Sequence, residues 1–183
     1  MIMTRINLID PAAASAEAAP LLAEIKNAFG VTPNMFRAVA NSPAALASMW
    51  GSFGVLGGGR LGAKLGEQIA VAIADRNACD YCLAAHTALG RKTGASAAEM
   101  SEAQAGLSSD PRTAAALAFV LKVVENRAAI GESDVAALRA AGFDDGEIVE
   151  IMAHVALNLF TNYVNVAFDV PVDFPGVKLR SAA

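Results

Sequence analysis

Glu67-Gln68-Ile69-Ala70-Val71-Ala72-Ile73-Ala74-Asp75-Arg76-Asn77-Ala78-Cys79-Asp80-Tyr81-Cys82-Leu83-Ala84-Ala85-His86 holds both cysteines of the chain and one of its two histidines. Cys79 and Cys82 are three residues apart and His86 lies four beyond Cys82, so on a helix all three share one face. Asn77 reads as an N-cap with Asp80 at the capping-box position, which puts both cysteines in the first turn. Free N–H groups and the helix dipole favour a thiolate there. On one unbroken helix Glu67 would stand about 18 Å from Cys79, at 1.5 Å per residue, and could take no part. A turn near Asn77 instead makes an antiparallel helix pair with Glu67 and His86 at similar heights. A carboxylate facing an imidazole facing a thiol is a proton relay.

The surrounding sequence is all-helical in its punctuation. Asp10-Pro11, Thr32-Pro33, Ser42-Pro43 and Asp110-Pro111 each set a capping side chain before a proline suited to the first helical position. Alanine is abundant, and no sustained alternation of the kind strands require is visible. The expected helices run from Pro11 to Phe29 with Gly30 ending the first, then Pro33 to Ala40, and Pro43 to Leu56. Gly57-Gly58-Gly59 breaks the chain rather than cradling a phosphate, since no strand precedes it. Past the cysteine helix, which Gly94 ends, further helices are expected over Ser96–Gln104, Pro111–Ala128, from near Ser133, and over Asp145–Phe168 with Asp144 as cap. Pro171 to Pro175 should be extended.

With 183 residues, the chain fits one domain spanning 1–183. Hydrophobic residues make up 55% and charged ones 17%, with a mean hydropathy of +0.42. That is more apolar than a monomer needs and points to subunit contacts. A net charge of -4 without a basic run gives no nucleic-acid partner. The first eleven residues lack a secretory h-region, so a cytoplasmic location is expected. The charge-free stretches 38–59 and 151–168 are interrupted by polar residues, and no membrane association is expected. In a reducing compartment a CxxC pair is redox or metal chemistry before it is a structural staple.

Glu-x11-Cys-x2-Cys-x3-His resembles the core motif of the AhpD-like alkylhydroperoxidases of the carboxymuconolactone decarboxylase superfamily. Val31-Thr32-Pro33-Asn34-Met35-Phe36 and Asp173-Phe174-Pro175 resemble its peroxidase-related branch. The resemblance implies an all-α, AhpD-like helical bundle with the CxxC at the start of a core helix. It assigns Cys82 as attacking thiolate, Cys79 as resolving thiol, His86 as base and Glu67 as its partner. It further implies a peroxide substrate, no bound cofactor, an external dithiol reductant protein of lipoyl or thioredoxin type, and a homo-oligomer, trimer or hexamer. Tyr81 stands where AhpD itself has a second histidine, and a phenol with a pKa near 10 cannot replace a base at neutral pH.

Other readings of the same residues stay open. Two cysteines can be ordinary buried side chains. Cys79, Cys82 and His86, with Glu67 or His154, could ligate zinc, making a metal-binding or redox-sensing module. A decarboxylase-type lyase of the same superfamily would not need the CxxC pair. His154 reads as a core or interface histidine, and Asn158, Asn162 and Asn165 as caps or bridges between helices. Met49, Trp50 and Phe53 read as core in preference to an apolar pocket.

Overall fold

The computed structural model describes residues 4–180, and in them nine α-helices and a single 3-10 turn but no strand. The all-α expectation therefore holds. The sequence reading of the extreme N-terminus rests partly on residues 1–3, which lie outside the described residues.

The helices are α1 (Ala18–Phe29), α2 (Asn34–Val39), α3 (Pro43–Gly57), α4 (Ala63–Arg76), α5 (Asp80–Lys92), α6 (Ala97–Gln104), α7 (Pro111–Glu125), α8 (Glu132–Ala140) and α9 (Asp145–Phe168). Helix α4 is the axis of the bundle. Every residue from Gln68 to Asp75 is buried, with α5, α6, α7 and α9 packed around it. A helix apolar on all sides can only be stable when surrounded in this way. Helix α9 is long and apolar enough to cross a membrane by length and composition. Here it buries Ile148, Ile151 and Val155 in the core.

Local chemistry accounts for most boundaries. Ser42 and Asp110 accept the N–H groups of Ala45 and Thr113, and Ser96–Glu99 and Asp144–Glu147 form reciprocal capping boxes. At the glycine break, a Cβ on Gly59 would fall on the Glu150 carboxylate. That carboxylate accepts the N–H groups of Arg60 at 3.1 Å and Leu61 at 3.0 Å. The glycines let the chain reach Glu150, and no phosphate loop is formed.

Four expectations need correction. The first helix is divided: Pro11–Ala13 forms the 3-10 turn and α1 starts at Ala18, because Pro20 is accommodated in a first turn but not mid-helix. Thr32 caps nothing, since Pro33 is itself the N-cap of α2. Helix α7 stops at Glu125, as Arg127 and Ala128 have positive φ. The fourth correction concerns the corner between α4 and α5. Asn77 is not the N-cap of α5 but the C-cap of α4.

The chain turns through a Schellman motif. Ala78 takes the left-handed conformation at φ 51°, its N–H reaches Asp75 O at 3.1 Å, and the Cys79 N–H reaches Ala74 O at 2.9 Å. Cys79 then caps the next helix, its sulfur accepting the N–H of Cys82 at 3.3 Å. One cysteine thus ends α4 through its backbone and starts α5 through its side chain.

Candidate active site

The antiparallel arrangement of α4 and α5 brings Glu67 Oε2 to 2.8 Å from His86 Nδ1. Their side chains are 19% and 10% exposed, which limits solvent screening of the pair. Burial opposes the imidazolium, but the facing carboxylate outweighs it and holds the His86 pKa above its usual value.

Cys79 and Cys82 are both buried free thiols, and their sulfurs lie within hydrogen-bond reach of each other. The two are electrostatically unequal. Burial disfavours a Cys82 thiolate, yet the Cys79 thiol, the His86 charge and the Asn165 amide favour it, and the Cys82 pKa is lowered. Cys79 moves the other way, because it serves as donor to Cys82 and because it is buried. The pair is thus polarised, with negative charge favoured at Cys82 and the proton at Cys79.

Asn165 is the residue that the sequence reading did not place in the site. Its Nδ2 donates to Cys82 Sγ at 3.1 Å across from α9. Thr161 also approaches this sulfur, but its hydroxyl is given to Asn158 O at 3.1 Å, so Asn165 is the firmer donor. The signal was present in the spacing. His154, Asn158, Thr161, Asn162 and Asn165 recur at helical intervals along one buried face of α9, and a polar stripe inside an apolar helix has to meet polar partners. Asn162 Oδ1 meets Asn77 Nδ2 at 3.0 Å and fastens the α4–α5 corner to α9.

Cys82 and His86 face a cavity of about 360 Å³. Its far wall is aromatic. The Phe36 ring lies 5.7 Å from Phe29, 5.8 Å from Trp50 and 5.9 Å from Phe53, and all four rings line the space. Trp50 and Phe53 therefore depart from the core reading, while Met49 is fully buried as expected. Tyr81 also lines the cavity. Burial pushes its phenol far above the ordinary value, so it stays protonated. Its oxygen accepts the Met35 N–H at 3.2 Å and its ring packs edge-on against Phe174 at 5.7 Å. Tyr81 thereby holds the start of α2 and the C-terminal segment against the site.

Among the described residues no group of three or more His, Cys, Asp and Glu side chains is arranged to hold a metal ion. Of the residues in the zinc set, Glu67 and His86 bind each other, the Cys79 sulfur caps α5 and the Cys82 sulfur accepts the Asn165 amide.

Residues 43–126 match the carboxymuconolactone decarboxylase family model. A peroxidase-related protein from Ralstonia eutropha JMP134, described as an alkylhydroperoxidase AhpD core, superposes with a TM-score of 0.85 at 26% identity over 93% of both chains. The family match and this whole-chain likeness support an AhpD-like member of the carboxymuconolactone decarboxylase superfamily. A second peroxidase-related protein, from Silicibacter sp. TM1040, gives a TM-score of 0.81 at 27% identity over 92% of this chain and 91% of its own. The debrominase Bmp8, in complex with 2,3,4-tribromopyrrole, shares the AhpD-like fold with a TM-score of 0.77 at 19% identity over 94% and 92%. Among curated proteins no match is found. The family likeness suggests an enzyme with a peroxidase-related role.

Proposed function

We propose that the protein is a thiol-dependent hydroperoxide reductase. The observation that carries this reading is the polarised cysteine pair: Cys82 with an amide donor at 3.1 Å and the Cys79 thiol in reach, both beside the His86–Glu67 pair. Cys82 thiolate attacks the distal peroxide oxygen and the O–O bond breaks. Sulfur becomes a sulfenic acid, and the departing alkoxide takes a proton from the His86 imidazolium. Cys79 sulfur then attacks Cys82 sulfur, hydroxide leaves with the Cys79 proton as water, and a disulfide remains. Two electrons from an external dithiol reopen it. A protein-borne lipoyl or thioredoxin-type donor suits this exchange.

The aromatic wall favours an organic hydroperoxide, whose apolar part gains by leaving water. The exposed Val55, Val149 and Tyr163 on α3 and α9 support self-association into a homo-oligomer. The test is peroxide consumption by the purified protein, with cumene hydroperoxide and hydrogen peroxide each supplied with dihydrolipoamide or reduced thioredoxin. Turnover that Cys82→Ser abolishes supports the reading. No consumption with any pairing, or full activity in Cys82→Ser, overturns it.

A further inference from the structure

Behind the Glu67–His86 pair lies a second, smaller chamber of about 110 Å³. Phe53, Glu67 and His86 line both this space and the aromatic cavity, so the acid–imidazole pair forms part of the partition between the two. The walls differ in chemistry. The first is built from four aromatic rings. The second has Leu56, Ala70 and Leu157 in its wall, carries the polar side chains of His154 and Asn158 from α9, and opens toward Gly57, Gly62 and Ala63 at the connection between α3 and α4, three residues exposed at the surface.

His154 is 9% exposed, and its Nε2 is buried without a hydrogen-bond partner. A buried ring nitrogen left alone costs about 1–3 kcal/mol, so such atoms in native proteins are served by ordered water. The chamber exceeds the roughly 10–15 Å³ that one water needs, so it has room for water beside the ring. Gly66, on the α4 turn that carries Glu67, makes the space: a Cβ there would stand 3.1 Å from His154 Cε1. The charged groups acting on His154 are Glu150 on its own helix, Glu67 from α4 and His86 from α5. Glu150 is already occupied by the N–H groups of Arg60 and Leu61, leaving the Glu67–His86 pair as the proton-accepting neighbour.

We propose that His154 and water held in this chamber form the route by which His86 recovers its proton from solvent. The inference rests on the hydroperoxide reductase reading for its place in the cycle. In the oxidative half His86 gives its proton to the alkoxide and Cys79 gives its own to the departing hydroxide. In the reductive half the donor thiolates supply two electrons but leave their protons in solvent. Two protons must therefore enter, one to Cys79 sulfur and one to His86, with Cys82 remaining a thiolate. For the proton returning to His86, the aromatic front cavity is a poor path. A rear chamber with a titratable ring keeps proton traffic apart from substrate traffic, and His154 acts through His86 as a positioning residue for the proton.

The test needs no peroxide. A stopped-flow pH jump, followed by the ultraviolet absorbance of the Cys82 thiolate, reads how fast the pair exchanges its proton with solvent. His154→Ala should slow the exchange at least about tenfold, and added imidazole should restore it. Thiazole, similar in size but too weakly basic to carry a proton at neutral pH, should not. Ala63→Leu, which narrows the chamber from its exposed end, should slow exchange without touching the pair, and it serves as the test if His154→Ala does not fold. Unchanged exchange in a folded variant of either kind overturns the proposal, as does equal rescue by thiazole. A protein inactive on every peroxide that still shows the His154-dependent jump would discard the reductase reading and keep the proton route.

Discussion

Asn165 Nδ2, on the last long helix, donates to Cys82 Sγ at 3.1 Å, joining residues 83 positions apart in the chain. A neutral amide is a suitable partner for a buried thiolate, since it lends a partial positive charge without bringing a counter-ion that would itself need solvation. Replacing it with an apolar residue of similar size, Asn165→Leu, removes a bond worth about 1.5–3 kcal/mol to a charged acceptor, or roughly one to two pKa units. The pH profile of iodoacetamide alkylation at Cys82 should move upward by that amount.

Glu67→Gln should act in the same direction through another route. The carboxylate raises His86, and the imidazolium in turn lowers Cys82. Without the carboxylate, His86 loses its proton at lower pH and Cys82 requires higher pH to ionise. The window in which both carry charge narrows from both sides. Histidine NMR titration and the alkylation profile would show the two shifts with opposite sign, and an unchanged pair of curves would mean the 2.8 Å contact carries no charge coupling.

Cys79→Ser should separate the two chemical steps. With Cys82 intact, one equivalent of peroxide is expected to be consumed and the sulfenic acid to persist long enough for trapping by dimedone. The adduct mass identifies the position. A protein that turns over normally with serine at 79 has no use for a resolving thiol there.

Stability at the corner is open to test as well. Ala78 occupies a left-handed position at φ 51°, which costs an L-residue about 1–2 kcal/mol. Glycine removes that cost and adds about 0.4–1 kcal/mol of unfolded-state entropy. Ala78→Gly should therefore stabilise the fold by roughly 0.5–1 kcal/mol, seen as a higher midpoint in urea. A lower midpoint would show that the alanine methyl makes a contact of larger value than the strain.

The helical grammar was legible because its signals are local. Ser42, Asp110 and Asp144 cap in the structure as their neighbours in sequence foretell. The facing of Glu67 and His86 was legible for a related reason: two helices joined by a short corner must run side by side, so position along each fixes height. What failed was geometry inside turns. The side chain of Asn77 reads as an N-cap, yet its backbone belongs to the preceding helix, and only the left-handed Ala78 decides between the two. Nothing in an alanine announces that conformation. For Asn165 the helical spacing marks a polar stripe on α9 that must find partners, but which partner it meets was out of reach, since the packing of α9 against the α4–α5 corner is a tertiary fact. Trp50 and Phe53 show the same limit, because an aromatic residue at helical spacing looks alike in sequence whether its ring faces a filled core or an open cavity.

Cys79 is held at both ends: its main chain completes the close of α4 and its sulfur begins α5. Converting that sulfur from hydrogen-bond acceptor to half of a covalent bridge alters the joint between the two innermost helices. Heat resistance should then differ between the dithiol and bridged forms, and a thermal melt would serve as a gauge of oxidation.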